Sequence, residues 1–301
     1  MASFSLAVIR HLIGAVQTVS PAAAARLGLA VFSLAPPKAP RRAKEKQVFA
    51  AAQGVMARAK REILPFEGGA ALAHLFPAVT PQPQRRILVT HGWGSRIDYM
   101  TALIDALTAG GAEVVALDWP GHGGASGRFL TMIEAVKAID AAWRRYGPFD
   151  AGVGHSFGGA AQAVAAGGVL RGLPVHRPSA LVTIGSPSEM RWLFTDFGKL
   201  MRLKPQTQRA MEAIVERRAG RSLDGFSAAE MLAGADLSML IVHAEDDKEV
   251  AAHHARAYGE AVPGADLFWA NGYGHRRIVS AAPVLARIVG FVAEVEKRQA
   301  A

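Results

Sequence analysis

"GVGHSFGGAAQAVAA" (residues 152–166) sets a serine among glycines where an apolar run gives way to a segment of helical composition. A buried core strand has no use for Ser156 at that point, whereas a strand turning sharply into a helix does. Such a turn projects the hydroxyl from the end of the sheet at the positive end of a helix dipole. It also strains the serine backbone and crowds its neighbours, so Gly154 and Gly158 supply positions without a Cβ to collide. Gly154-His155-Ser156-Phe157-Gly158 is the one G-x-S-x-G in the chain. The bland alternative is a glycine-rich turn with an incidental serine.

Working outward, strand and helix patterns alternate from about residue 70. "GAALAHLFPAV" (69–79), "RRILVTHGW" (85–93), "AEVVALDW" (112–119), "SALVTIGSP" (179–187), "SMLIVHAEDD" (238–247) and "ADLFWANGYGH" (265–275) read as strands. Helical patterns such as "DYMTALIDALTAGG" (98–111) and "TMIEAVKAIDAAWRRYG" (131–147) lie between them. The alternation predicts an α/β protein with a mostly parallel sheet and helices on both faces. Residues 187–236 break the rhythm: Trp192, Phe194, Phe197 and Met201 lie among charges, with no strand pattern. They are expected to form a helical cap over the strand ends. The division predicted is an N-terminal arm and linker over 1–46 and a main domain over 47–301 with its cap at 187–236.

A serine hydroxyl is a weak nucleophile near neutral pH and needs a base. In the chain order serine, acid, histidine, that base lies downstream of the acid. His176, His243, His253, His254 and His275 follow Ser156. His275 sits in "NGYGHRR", a glycine-loosened segment directly after a strand, and is the candidate base. His253 and His254 fall in a predicted helix and read as solvated. The acid that orients the imidazole belongs at the end of the preceding strand, where "LIVHAEDDKEV" offers Asp246 and Asp247. Adjacent side chains point differently, so one serves and the other is a loop charge.

Four separated motifs, "THGW" (90–93), "DWPGHGGASG" (118–127), "GHSFGG" (154–159) and the pair "HAEDDKEV" with "GHRR", together resemble the α/β-hydrolase superfamily, in particular its serine esterases and lipases, over about residues 70–298. The resemblance implies the α/β-hydrolase fold with a cap insertion. It also favours Asp247 as the acid, three residues after the small Ala244 (where glycine is more usual) and three before Val250. The "HGW" loop implies an oxyanion hole made by the backbone N–H groups of Trp93 and Phe157. His91 and Gly92 are expected to shape that loop, and His122 the "PGHGG" turn. Serine at the elbow excludes the aspartate-nucleophile chemistry of dehalogenases and epoxide hydrolases. The function implied is hydrolysis of small-molecule carboxylic esters, tilted towards acyl-chain or lipid-like substrates, through an acyl-enzyme. Acyl transfer, thioester hydrolysis and cofactor-free perhydrolysis use the same triad. A non-catalytic binding protein on the same fold is the reading from another class.

Composition bounds the rest. Half the 301 residues are hydrophobic, a fifth are charged, and cysteine is absent, so disulfides and thiolate metal sites are excluded. The histidines are dispersed, no H-E-x-x-H occurs, and "GHGGASG" lacks the G-K-[ST] of a phosphate loop, so no metal and no cofactor is expected. The net charge is +9, but residues 1–62 hold ten Lys/Arg against Glu45 and Glu62, leaving +1 for the remainder. A basic excess confined to an arm argues against nucleic acid as a partner. Within the arm, Phe4, Val8, Leu12, Ala15 and Val19 recur at helical spacing, and Arg10, His11 and Arg26 interrupt any run able to span a bilayer. "PPKAPRRAKEK" (36–46) follows as a basic linker. The arm therefore has two main readings, that it lies on an anionic membrane surface or packs on the main domain, and its acid-poor, Arg-bearing start also resembles a transit peptide. A cytoplasmic protein, membrane-associated through the arm in the first case, is expected.

Overall fold

The computed structural model describes residues 2–40, 43–80, 83 and 85–299, with side chains from residue 6 to residue 294 apart from that of Lys44. Arg41 and Arg42 of the basic linker lie outside the described residues. An eight-stranded sheet runs in the order β1 (Lys60–Phe66), β2 (Gly69–Phe76), β4 (Ala112–Asp118), β3 (Arg85–Thr90), β5 (Ala151–His155), β6 (Ala180–Ile184), β7 (Ser238–His243), β8 (Asp266–Trp269). Strands β3 to β8 pair in parallel, and β2 runs antiparallel to both its neighbours. The edge strand β1 was not anticipated. Its sequence, KREILPF, opens on charges and carries Pro65, which only an edge position tolerates, and most of its side chains face solvent.

The period of two along each central strand divides the core. Leu88, Val115, Leu117, Leu181 and Ile241 face one side, and Ile87, Val89, Val114, Ala116, Val182, Leu240 and Val242 the other. Helices α3 (Ala43–Met56), α4 (Thr101–Ala109) and α12 (Ala282–Gln299) cover the second side. The first is covered by α5 (Met132–Tyr146), α6 (Phe157–Gly167), α9 (Ala228–Leu232) and α10 (His253–Ala261). Between β6 and β7 the chain is helical, with α7 (Met190–Met201) and α8 (Pro205–Ala219) preceding α9.

The N-terminal helices α1 (Ala2–Val19) and α2 (Pro21–Ser33) join this first side. Ser20 caps α2 by accepting from the Ala23 amide, and Pro21 occupies the first helical position, where no N–H is needed. Ala25 and Leu29 of α2 belong to the same apolar cluster as Met211 of α8. Gly28 permits the close approach, since a Cβ there would lie 3.5 Å from the Met211 sulfur. Gln17 accepts from the Lys204 amide at 2.9 Å and donates to the Arg202 carbonyl. At its other end the arm is stitched to the body, Ala35 donating to Arg128 and Leu130 to Ser33, both at 2.8 Å. Among the described residues no helix is long and apolar enough to cross a membrane.

A buried polar node fixes the loops above β3 and β4. Asp118, at the end of β4, accepts from the Ile97 amide (3.0 Å), the Gly124 amide (2.8 Å) and His74 Nε2 (3.0 Å). Gly123 leaves room for it, since a Cβ there would stand 2.1 Å from the carboxylate. Burial alone would raise the Asp118 pKa, but the bond from His74, the proximity of His91 and the Gly124 amide outweigh it and hold it down at about 2. An acid depressed in the folded state contributes stability above its ordinary pKa, and loses it as pH falls towards the folded value. Asp118→Asn is therefore expected to lower unfolding free energy at neutral pH by about 2–3 kcal/mol. The gap from wild type should close between about pH 4 and pH 2, as read by urea denaturation at each pH.

Candidate active site

At the junction of β5 and α6, Ser156 has φ 52° and ψ −122°, a left-handed conformation that L-residues avoid. The surrounding glycines explain how the turn is held. A Cβ on Gly154 would lie 2.4 Å from Gly159, and one on Gly158 would lie 2.6 Å from the carbonyl oxygens of Thr90 and His91. The start of α6 is thus pressed onto the end of β3. Gln162, buried one turn on, donates to Thr90 Oγ1 at 2.8 Å and seats the helix. The Ser156 amide donates to Ile184 at 2.8 Å, anchoring the turn to β6.

Asp247 and His275 come from the ends of β7 and β8. Asp247 is buried, and its Oδ1 accepts from the amides of Glu249 (2.8 Å) and Val250 (2.9 Å), which leaves Oδ2 to face the ring of His275. His275 Nδ1 donates to that Oδ2 at 2.8 Å, and Ser156 Oγ lies 3.1 Å from His275 Nε2. Burial opposes ionisation of Asp247, but the bond from His275 and those from Val250 and Glu249 prevail and hold its pKa below the ordinary carboxylate value. Asp246, the neighbour, is exposed and accepts from the Gly272 amide at 2.9 Å, shaping the turn that precedes His275. His275 lies in the short helix α11 (Gly274–Arg277) rather than in an open loop.

The expected oxyanion donors sit beside the serine. Trp93 and Phe157 pack edge to face with ring centroids 5.8 Å apart, and among the described residues neither backbone N–H has a hydrogen-bond partner. Gly92 passes so close that a Cβ would lie 3.0 Å from that of Ser156. His91 donates from Nδ1 to Gly92 O at 2.8 Å and is tied to Trp119, whose indole N–H donates to the His91 carbonyl at 2.8 Å. Burial drops the His91 pKa to about 4, so it shapes the loop as a neutral ring. His122 faces Pro120 O at 3.0 Å and accepts from the Gly94 amide at 3.1 Å, linking the "PGHGG" turn to the same loop.

Two contributors escaped sequence reading. Gly185 (φ 56°) ends β6 where a Cβ would come within 3.3 Å of both Asp247 Oδ2 and His275 Nδ1. His155 is buried, which pushes its pKa down to about 3, and as a neutral ring it donates from Nε2 to the His275 carbonyl at 2.9 Å. The glycine had a signal, its place at a strand end in "TIGSP". The histidine had none, since its partner is 120 residues away.

His254, read as solvated, is fully buried, and its Nδ1 accepts from the Ser188 amide at 3.2 Å. That bond places the ring hydrogen on Nε2. Glu189 and His253 bring ligand atoms within 4.8 Å of it, but a protonated Nε2 offers an ion no lone pair.

A cavity of about 1420 Å³ opens on Ser156 and His275. Its apolar lining includes Phe194 and Phe197 of α7 and, from the arm, Leu29 and Phe32. Phe32 packs 4.8 Å from Phe194, 5.1 Å from Phe197 and 6.3 Å from Trp93, between ring centroids.

A family model described as "Alpha/beta hydrolase family" matches residues 87–288. Among solved structures, a presumed lipase of Acinetobacter baumannii AYE superposes with a TM-score of 0.61 at 17% identity, over 87% of this chain and 100% of the other. The esterase domain of a Rhodothermus marinus protein gives 0.57 at 21% identity, over 80% and 98%. Est1E of Butyrivibrio proteoclasticus, solved with ferulic acid bound, gives 0.58 at 17%, over 79% and 98%. At these identities the likeness is one of fold. No curated protein sequence matches the chain.

The strain at Ser156 has a measurable signature. Its φ and ψ are the mirror image of an ordinary extended conformation, which glycine adopts freely and alanine does not. Ser156→Gly should therefore be more stable than Ser156→Ala by about 1 kcal/mol in urea denaturation, despite its greater unfolded-state entropy. Equal stabilities, or a more stable alanine variant, would mean the turn is unstrained.

Proposed function

Since this chain belongs to the alpha/beta hydrolase family, we propose that it hydrolyses carboxylic esters through an acyl-Ser156 intermediate. The observation that carries the reading is the chain of contacts from Ser156 Oγ to His275 Nε2 (3.1 Å) and from His275 Nδ1 to Asp247 Oδ2 (2.8 Å), open to a cavity. His275 takes the Ser156 proton as Oγ bonds to the ester carbonyl carbon. Asp247, kept ionised by the bond from His275 together with its two amide donors, holds the ring in the tautomer with Nε2 free and stabilises the imidazolium. The carbonyl oxygen gains charge between the N–H groups of Trp93 and Phe157, backbone donors already oriented and unpaired. As the tetrahedral intermediate collapses, the bond to the alcohol breaks and His275 returns its proton to the leaving oxygen. Water, deprotonated by the same nitrogen, then attacks the acyl-serine, and the carboxylic acid departs with Ser156 restored. No metal or cofactor takes part in these steps.

The substrate we assign is an ester with a long apolar acyl chain. The cavity exceeds the roughly 300–1,000 Å³ usual for small-molecule sites, and aromatic and aliphatic side chains from α2 and α7 form its wall. In this reading residues 187–236 act as a cap, and the arm completes it.

Reaction with a fluorophosphonate probe should label Ser156 and no other residue. Ser156→Ala should cut kcat by about 10⁶, and Asp247→Asn by about 10⁴. Asp246→Asn should leave most of the activity, because its carboxylate touches the Gly272 amide and not His275. Undiminished turnover by Ser156→Ala would end the serine-hydrolase reading, and a reversed order of the two aspartates would reassign the acid. For substrate class, Phe32→Ala should lower kcat/KM for a palmitoyl ester about tenfold more than for a butyryl ester, since it removes wall area that only the longer chain covers. An equal loss on both esters would remove the arm from the acyl site.

A further inference from the structure

Among the described residues the outward face of α1 has no partner. Val8, Leu12 and Val19 are 51%, 53% and 88% exposed, and Ala15 between them is also exposed. At spacings of four, three and four residues they form one line along about 16 Å of helix. The opposite side faces the domain: Ile13 is fully buried there, Gln17 is buried on Arg202 and Lys204, and Arg10 donates to the Leu200 carbonyl at 2.6 Å. The helix is therefore apolar on two sides, and the described part of its own domain covers only the side that carries Ile13.

Among the described residues, four of the seven other exposed large hydrophobics gather around the arm, while Ile63, Val79 and Val175 have no contact with it among those described. Trp93, Leu34, Phe129 and Leu200 are also exposed. Each is part of the arm or touches it: Trp93 stacks on Phe32, Leu34 bridges to Phe129, and Leu200 receives Arg10. Leu34 and Trp93 line the cavity as well, so the apolar surface continues from the arm to its rim. No carboxylate occurs before Glu45, although Arg10, Arg26, Lys38, Arg41, Arg42 and Lys44 do. Arg26 is exposed and, among the described residues, has no ion pair.

We propose that α1 docks this protein on an anionic lipid surface, its Val8–Leu12–Val19 stripe entering the headgroup boundary and the basic arm meeting the lipid charge. A second copy of the chain is the poorer occupant, since a self-facing contact sets one acid-free arm against another. A nucleic acid has no use for the apolar stripe. A long-chain ester would be presented at the surface where the cavity rim lies, but docking itself is independent of turnover at Ser156.

Flotation of the full-length protein with phosphatidylcholine–phosphatidylglycerol vesicles tests this, with pure phosphatidylcholine vesicles as the uncharged arm. Binding is expected at low salt on the anionic vesicles, weakening as salt rises. Val8→Glu with Leu12→Glu should reduce partitioning about tenfold or more, while a water-soluble butyryl ester is hydrolysed at the wild-type rate. Val19→Glu alone should repeat the loss in smaller measure, and Arg26→Gln should flatten the salt dependence. Protein that ignores anionic vesicles at low salt overturns the proposal. So does binding unchanged by the glutamates, or a dimer in solution that the glutamates dissociate.

Discussion

One residue's backbone governs the geometry of this fold around its cavity. Ser156 can hold φ 52° only if the end of β5 and the start of α6 are locked from several directions. The lock consists of near contacts: Gly154 against Gly159, Gly158 against the carbonyls of Thr90 and His91, Gly92 against the serine itself. A strained conformation of this kind stands about 1–3 kcal/mol above a relaxed one, so the packing that enforces it must be stiff. The same stiffness fixes the amides of Trp93 and Phe157 relative to the hydroxyl, because those residues flank the glycines that make the contacts. Strain at one residue and preorganisation at its neighbours are one property seen twice.

The histidines around the site divide by environment. His91 and His155 are driven neutral by burial, to about 4 and about 3, and each spends its ring on a backbone carbonyl. His275 alone among these faces a carboxylate through one nitrogen and a hydroxyl through the other. The neutral rings add no positive charge that would compete with His275 for Asp247 Oδ2. Asp118 does for the loops what Asp247 does for the ring: a buried acid holds its shape by taking several donors at once.

What the sequence disclosed, and what it hid, follows from the range of each interaction. The parallel core was legible because Ile87–Leu88–Val89 and Leu240–Ile241–Val242 are continuous apolar runs that only strands covered on both faces require. Ser156 and His275 were nameable from chain order and strand ends, Asp247 was preferred to Asp246 only through the resemblance to the α/β hydrolases, and the structure brings the three together. β1 escaped because an edge strand needs few apolar residues. His155 escaped because its partner is fixed by the sheet, not by local pattern. The stripe on α1 was found but its direction was not: periodicity reports that a helix has two faces, and only Gln17 reaching Arg202 and Lys204 reveals which one turns inward.

That long reach bears on how the chain assembles. The arm leaves the ribosome well before the groups that receive it, since Leu200, Arg202 and Lys204 are 185–190 residues further along. At bacterial or eukaryotic elongation rates of about 5–20 residues per second, α1 and α2 wait about 10–40 s for their partners to be synthesised. Throughout that interval Phe32 lacks Phe194 and Phe197, and α2 lacks the α8 surface around Met211. Contacts of such high sequence separation also form late in folding. The cavity therefore acquires its full wall only after α7 has been made and has met Phe32.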